Sequence, residues 1–283
     1  MSSGPAADNP IGVFDSGVGG LTVLHECLVT LPEESFLYLG DDERFPYGAR
    51  APEDLRACVE RNTRFLLERG AKLILIACNS AAAAGLEAAR EIASEAGVEL
   101  VAVIEPEAEI AAAITESGRV GVLATPVTVA GGAYVRALAA QHRELVVTQV
   151  AAPALAAVIQ RGFPFSEAVV EQVRSYCEPL RRAGVDTVIL GCTHYPLVRP
   201  MLQRILGRDV RLVTAGHAVA ATVERKLAAG GLGTERDGEG DYRFACTADP
   251  AAFRELGTRF LQLPLGEVEL VELPDAYPES PPR

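Results

Sequence analysis

Two cysteines of this chain stand at positions where a thiol could react. Cys78 closes the apolar run LILIA and begins the sequence CNS, and Cys192 follows the run VILG and begins the sequence CTH. Each thiol therefore comes at the carboxyl end of a predicted strand, which is the end at which open parallel sheets bind ligands. A predicted helix follows each cysteine, and a helix N-terminus lowers the pKa of a thiol. We expect both thiols to line one cleft and to reach the thiolate form near neutral pH.

Two thiols that face each other suit a reaction that is chemically symmetric. In racemisation next to a carboxylate, a base removes the proton from one face of the carbon and an acid delivers a proton to the other face. A thiol with an ordinary pKa of about 8.5 can take either role. No cofactor motif is visible in the sequence. We therefore predict a cofactor-free reaction, in which hydrogen bonds and the exclusion of water stabilise the carbanion.

The other candidate motifs favour neither a metal centre nor a nucleotide site. The chain has no CxxC or HExxH sequence, and His25, His142 and His217 are scattered along it, so we predict no metal. The sequence DSGVGG lacks the third glycine of GxGxxG and the lysine of a P-loop. We expect it to form a tight turn whose N–H groups face a carboxylate. The four remaining cysteines are expected to be small core residues.

Three other interpretations stay open at this stage. A thiol hydrolase would use Cys192 with His194 as its base, but it would leave Cys78 unexplained. A binding protein could keep the fold without turnover, and replacement of either cysteine would then change nothing measurable. A related racemase could act on aspartate or another substrate, because the sequence does not give the depth of the cleft.

Composition limits the partners and the compartment. A net charge of −12 argues against a large nucleic-acid interface. No apolar run reaches membrane-spanning length, and the first ten residues lack the features of a secretory leader. We expect a cytoplasmic protein with six reduced cysteines, a small-molecule substrate, and neither nucleic acid nor membrane as a partner.

Two internal echoes predict a repeated architecture. Residues 12–16 (GVFDS) and 121–125 (GVLAT) each end a strand before a turn and a helix, and the two cysteines repeat at nearly the same spacing. Strands that alternate with helices favour parallel sheets. We therefore predict an α/β protein of two pseudo-symmetric domains, each a mainly parallel sheet flanked by helices, with the active site in the cleft between them. The other predicted strands are 35–40, 98–104, 144–151, 210–215, 242–247 and 268–273, and the clearest predicted helices are 53–69, 84–96, 166–183, 217–229 and 250–261.

Motifs that follow one another along nearly the whole chain resemble those of the glutamate racemases of the cofactor-independent Asp/Glu racemase superfamily. The matching sequences are GVFDSGVGGLTVL at 12–24, YLGD at 38–41, PYG at 46–48, ACNSA at 77–81, VIEP at 103–106, LGCTHYPLV at 190–198 and YRFACTADPAAFRELGTRFL at 242–261. The resemblance implies interconversion of L- and D-glutamate, with D-glutamate supplied to peptidoglycan synthesis. It also implies a first domain of residues 1–103 and 215–283 and a second domain of residues 104–214, and it leaves a homodimer plausible.

The resemblance assigns roles to individual residues. Cys78 would deprotonate D-glutamate and Cys192 would deprotonate L-glutamate. Asp15 and His194 match residues that assist the thiols, and Asp41 matches a further acidic position near the site. The implied substrate contacts are Asp15, Ser16, Tyr47, Gly48, Asn79, Ser80, Thr125, Thr193 and His194.

Three departures from the family pattern concern the site. Ser80 stands where a threonine is usual, and it keeps the hydroxyl group. Asp42 and Glu43 add negative charge near a dianionic substrate, unless Arg44 pairs with one of them. Gln160 occupies the apparent place of a glutamate that supports proton transfer, and an amide cannot carry that proton.

Overall fold

In the described part of the chain, ten short strands, most of them rich in branched and aromatic residues, form two sheets. The computed structural model describes residues 6–162 and 166–274. The strands are β1 (Ile11–Asp15), β2 (Phe36–Gly40), β3 (Leu73–Ile76), β4 (Glu99–Ala102), β5 (Arg119–Ala124), β6 (Val146–Ala151), β7 (Thr187–Gly191), β8 (Arg211–Val213), β9 (Tyr242–Cys246) and β10 (Val268–Leu270). Every neighbouring pair among them is parallel.

The two sheets repeat one strand order. The larger sheet runs β10-β9-β2-β1-β3-β4 and the smaller one runs β6-β5-β7-β8. The order β2-β1-β3-β4 therefore matches β6-β5-β7-β8 strand for strand, so β1 corresponds to β5 and β3 to β7. This confirms the prediction of two pseudo-symmetric α/β halves. The strands β9 and β10 return from the end of the chain and pair beside β2 in the first sheet.

Helices cover the faces of both sheets. They are α1 (Leu21–Thr30), α2 (Pro52–Glu68), α3 (Asn79–Glu95), α4 (Ile104–Ile114), α5 (Pro126–Ala130), α6 (Ala133–Ala139), α7 (Leu155–Gln160), α8 (Glu167–Arg182), α9 (Arg199–Leu206), α10 (Gly216–Gly230) and α11 (Pro250–Leu261). All residues of β1, β2, β3 and β7 are buried, as expected for parallel strands that are covered on both faces. Within the described ranges, no helix combines the length and the apolar character that a membrane span requires.

Two of the differences between predicted and observed boundaries concern elements next to the predicted site. The strand predicted at 98–104 ends at Ala102, and Ile104 begins α4. Acidic side chains in the first turn of α4 favour the positive helix N-terminus, while apolar residues continue across the boundary and hide it from a hydrophobicity pattern. The helix predicted at 84–96 begins earlier, at Asn79, so the sequence CNS is the start of α3.

Candidate active site

The strand ends of both halves surround one narrow cavity. Its volume is about 30 Å³, room for about two water molecules. The predicted residues that line it are Ser16, Tyr47, Gly48, Cys78, Asn79, Ser80, Thr125, Cys192, Thr193 and His194. Cys78 follows β3 and Cys192 follows β7, so the thiols occupy equivalent positions of the repeated sheet order. The cavity thus lies between the halves, where the sequence predicts the active site.

Asp15 stands directly behind this cavity. Its Oδ1 accepts a hydrogen bond from the N–H of Gly17 at 3.1 Å, and the Thr193 hydroxyl donates to its Oδ2 at 3.3 Å. Burial raises the pKa of Asp15 to about 6, although hydrogen bonds from the N–H of Gly20, the N–H of Gly17 and the Cys78 thiol act in the opposite direction. Asp15 is therefore a carboxylate at neutral pH and is in contact with one of the two thiols.

His194 is the corresponding neighbour of the other thiol. Its Nδ1 lies 3.9 Å from the Sγ of Cys192, and its Nε2 lies 2.9 Å from the Oε1 of Gln160. Burial lowers the pKa of His194 to about 4, so the imidazole is neutral at pH 7. The rings of Phe45 and Phe260 lie beside it, with centroids 5.5 and 5.1 Å away. Each thiol thus has its own unprotonated neighbour.

Both thiols are protonated in this closed site, contrary to the expectation of thiolates near neutral pH. Burial raises the pKa of Cys192 to about 12, and it raises the pKa of Cys78 further. Backbone N–H groups of Ala81 and Ser16 favour the Cys78 thiolate, as its place at the N-cap of α3 predicts. Desolvation outweighs them, because the charged form loses its water, and the carboxylate of Asp15 also opposes a second negative charge.

Tyr47 enters the cavity from a 3-10 turn, Tyr47–Ala49, and is held from behind by Asp41. The Tyr47 hydroxyl donates to Oδ2 of Asp41 and accepts from Nδ2 of Asn62 at 3.1 Å. Oδ1 of Asp41 accepts from Arg44 at 3.3 Å and from the Thr247 hydroxyl at 3.1 Å. The acidic position that the resemblance implies near the site is thus occupied by a buried residue that orients Tyr47.

The two extra acidic residues of this region do not line the cavity. Oδ1 of Asp42 accepts from the N–H groups of Thr247 and Ala248 at 2.9 and 3.0 Å, beyond the end of β9. Glu43 pairs with Arg44 at 2.9 Å and is exposed. Hydrogen bonds hold the Asp42 carboxylate and an ion pair holds that of Glu43, and both carboxylates lie outside the lining of the cavity.

A hydroxyl pair joins the two halves across the cavity. Oγ of Ser80, on α3, lies 2.9 Å from Oγ1 of Thr125, which follows β5. Oγ1 of Thr125 also lies 3.0 Å from Oγ1 of Thr128. The chain passes so close at Gly48 that an added Cβ would lie 2.6 Å from Cβ of Thr125. Thr125, predicted only as the echo of Ser16, therefore belongs to the same wall of the cavity as Ser80 and Gly48.

Two functional neighbours were missed by the sequence reasoning. Nδ2 of Asn79 donates to Oε2 of Glu107 at 3.0 Å and to the hydroxyl of Tyr134 at 2.7 Å. The Tyr134 hydroxyl donates to the same carboxyl oxygen. One signal for Glu107 was present, because Ile104, Glu107 and Ala111 recur at helical spacing and place a carboxyl group on an apolar stripe. Tyr134 carried no such signal.

The described residues contain no group of three or more His, Cys, Asp or Glu side chains that could hold a metal ion. All six cysteines, Cys27, Cys58, Cys78, Cys177, Cys192 and Cys246, are buried and free of disulfide bonds. The polar groups of the site are hydroxyls, an amide, two thiols, an imidazole and backbone N–H groups, with the carboxylates of Asp15 and Asp41 behind them. This set can bind an amino acid and move protons at a carbon atom.

Comparison with known proteins supports this chemistry. The family model of the Asp/Glu/Hydantoin racemases matches residues 20–223. A curated protein named glutamate racemase from Geobacter metallireducens is 40% identical over 263 residues, which cover 93% of this chain and 96% of the relative.

Solved structures agree with the sequence relatives. Glutamate racemase isoform RacE1 from Bacillus anthracis superposes with a TM-score of 0.89 at 36% identity, over 94% of this chain and 98% of that one. Glutamate racemase from Francisella tularensis, solved in complex with D-glutamate, superposes with a TM-score of 0.88 at 30% identity over the same shares. The motifs, the repeated sheets and these matches agree, and the chain belongs to the Asp/Glu/Hydantoin racemase family.

Proposed function

We propose that this protein interconverts L- and D-glutamate by a cofactor-independent mechanism with two cysteine bases. The observation that carries the proposal is the pairing of each thiol with its own proton acceptor, Cys78 with Asp15 and Cys192 with His194. The two thiols follow β3 and β7, which are equivalent strands of a repeated fold, and this suits a reaction that is symmetric in its two directions. The glutamate racemases among the relatives support glutamate as the substrate.

Binding of an amino acid activates the thiols in this proposal. The substrate brings an ammonium group into the site, and a nearby positive charge favours a thiolate. With D-glutamate bound, Asp15 accepts the proton of Cys78 while Cys192 keeps its own; with L-glutamate bound, His194 accepts the proton of Cys192 while Cys78 keeps its own. The Cys78 thiolate removes the α-proton of D-glutamate while the Cys192 thiol protonates the opposite face. For L-glutamate, Cys192 is the base and Cys78 is the acid.

Small polar groups around the cavity hold the two carboxylates and the ammonium group. We assign these contacts to Asp15 and His194, which also assist the thiols, and to Ser16, Tyr47, Gly48, Asn79, Ser80, Thr125 and Thr193. Hydrogen-bond donors that are fixed before substrate arrives stabilise the carbanion without reorganisation. Closure of the halves excludes water, as the small cavity volume of about 30 Å³ suggests.

Circular dichroism of glutamate tests the activity directly. Purified protein is incubated with L-glutamate in a cofactor-free buffer that contains a chelator, and the optical signal is followed until it is constant. We expect decay to zero, and the same end point from D-glutamate. A constant signal with both enantiomers would refute glutamate racemisation, and decay with aspartate alone would identify aspartate as the substrate.

We further propose that D-glutamate from this reaction supplies peptidoglycan synthesis in the cytoplasm. The chemistry of the product supports this, since a D-amino acid has to be made from the common L-enantiomer. Expression of the chain in a bacterial strain that requires D-glutamate tests the role. Growth without added D-glutamate is expected, whereas continued dependence would contradict the proposal. A homodimer stays a prediction, which light scattering of the purified protein tests.

The division into domains of residues 1–103 with 215–283 and of residues 104–214 is also a proposal. Membership of the sheets supports it, because strands between 11 and 102 and between 242 and 270 form the larger sheet. Strands between 119 and 213 form the smaller sheet. Helix packing agrees in the main, since α10 packs mostly on α1 and α4 mostly on α6 and β7, with a smaller contact between α10 and α4 across the boundary.

A further inference from the structure

A second chamber lies beside the segments that follow β3 and β7 and carry Asn79 and Cys192. Its volume is about 110 Å³, and Asn79, Cys192 and Thr193 line both it and the smaller cavity. Glu107 lines the chamber but not the smaller cavity. This carboxyl group is fully buried, and no step of the proposed reaction uses it. It accepts a hydrogen bond from Asn79, which the proposed function places in contact with the substrate.

The hydrogen bonds of Glu107 are one-sided. Oε2 accepts from both Asn79 and Tyr134, whereas Oε1 is buried and has no hydrogen-bond partner in the part of the chain that the structure describes. No lysine or arginine of the described ranges forms an ion pair with it. An isolated carboxylate in such a place loses its hydration without compensation, and the group takes up a proton instead.

Burial of Glu107 outweighs the two hydrogen bonds that favour its charged form. Tyr134 on α6 is a neutral hydroxyl, the Cys192 thiol adds no positive charge, and His25 and Glu26 of α1 line the same chamber. The ring nitrogen Nδ1 of His25 is engaged with the carbonyl oxygen of Leu261 at 2.8 Å. Burial raises the pKa of Glu107 to about 8, even though the hydrogen bonds from Tyr134 and Asn79 oppose the shift.

We infer that Glu107 is a neutral carboxylic acid at pH 7 and acts as a positioning residue that fixes the amide of Asn79. The carbonyl oxygen Oε2 receives the two donors, and the proton resides on Oε1, which has no hydrogen-bond partner among the described residues. A neutral Glu107 also makes the Cys192 thiol easier to deprotonate, because a carboxylate there would raise the pKa of that thiol through charge repulsion. This inference rests on the proposed racemase activity for its kinetic consequences only.

A fixed amide at Asn79 has a defined polarity toward a substrate. Glu107 and Tyr134 both accept from its Nδ2, so the nitrogen end of the amide is held on their side of the site. The carbonyl oxygen is at the other end of the amide and is the atom that we assign to a ligand; a carbonyl oxygen accepts hydrogen bonds. The donor that an amino acid offers is its ammonium group. Asn79 therefore recognises the substrate as an acceptor for that group, and Glu107 determines this orientation.

Infrared difference spectroscopy of the full-length protein tests the protonation state without any reference to activity. Spectra are compared between wild type and Glu107→Gln at pH 7. We expect the wild type to show a carbonyl stretching band of a protonated carboxyl group that the variant lacks. Absence of that band, with a carboxylate band in its place, would overturn the inference even if the enzyme is a racemase.

Kinetics test the positioning role. Glutamine retains an acceptor toward Asn79 and Tyr134 and resembles the neutral acid, so Glu107→Gln should keep kcat/KM within about threefold of wild type. Glu107→Leu removes the acceptor, and we expect KM to rise by roughly tenfold with a smaller change in kcat, because a binding contact is lost. Glu109→Leu, at an exposed position of the same helix, is the matched control. An equal loss in Glu107→Gln and Glu107→Leu would show that Glu107 acts as an anion and would refute the inference.

Discussion

At the scale of single residues, the site is defined by which groups carry a proton. Asp15 and His194 are both unprotonated at neutral pH, but burial shifts their pKa values in opposite directions, to about 6 and about 4. Burial favours the neutral form of each group, which for a carboxyl group means a higher pKa and for an imidazole a lower one. Sequence motifs identified both residues, whereas these shifts depend on burial that only the folded chain provides.

The pKa of Asp15 predicts an acid limit of activity. Below about pH 6 the carboxyl group is protonated and cannot accept the Cys78 proton. We expect kcat/KM to fall about tenfold per pH unit below that value, because this parameter reports the free enzyme. Asp15→Asn should lose roughly 10²–10³-fold in kcat/KM and should lack this limb. Activity that is constant from pH 5 to 7 would be inconsistent with the role of Asp15.

A substitution at Gln160 should change the pKa of His194, the proton acceptor beside Cys192. A carboxylate 2.9 Å from Nε2 of His194, in the place of the amide oxygen, would favour the imidazolium form. Gln160→Glu should therefore raise the pKa of His194 above about 4 and speed turnover from L-glutamate, the Cys192 side of the reaction. Histidine NMR signals followed against pH provide the measurement, with Gln141→Glu, on the loop before β6, as the control. An unchanged His194 titration would contradict the argument.

At the scale of elements, the ends of β3 and β7 could be predicted from sequence, whereas the start of α4 and the contact of Tyr134 with Asn79 could not. Apolar runs that stop at Cys78 and Cys192 marked β3 and β7, and the two internal echoes marked the repeat. The start of α4 was hidden because apolar residues continue from Val101 into Ile104. Tyr134 reaches Asn79 only through the packing of α6, and no local pattern encodes such a long-range contact.

The loop after β1 packs tightly on the loop after β7, and Gly19 makes this approach possible. A Cβ at Gly19 would lie 2.6 Å from Nδ1 of His194 and in contact with Oγ1 of Thr193. We expect Gly19→Ala to displace His194 and to lower kcat/KM by about 10²-fold, with little change in far-ultraviolet circular dichroism.

The matched control for this prediction is Gly266→Ala, since an added Cβ there meets nothing within 4 Å. It should leave the rate unchanged. Equal activity of the two alanine variants would show that the approach of the two loops does not position His194.

At the scale of the whole molecule, buried acids link stability to pH. The pKa of Glu107 is raised from 4.5 to about 8, so the native state binds this proton more tightly than the unfolded chain. Its contribution to stability is complete below about pH 4.5 and is lost as the pH rises through about 8. As the pH rises from about 4.5 to about 8, the free energy of unfolding of the wild type should therefore fall relative to that of Glu107→Gln. Urea unfolding at several pH values measures both free energies. The same pH dependence in the two proteins would contradict the raised pKa of Glu107.

The central claim is that each cysteine serves one enantiomer, and isotope exchange in D₂O tests it most directly. Loss of the α-proton signal by NMR is followed for each glutamate enantiomer with Cys78→Ala and with Cys192→Ala. Neither variant should racemise. Cys78→Ala should exchange only the α-proton of L-glutamate, and Cys192→Ala only that of D-glutamate. Racemisation by either variant, or exchange of both enantiomers by one of them, would contradict the two-base account.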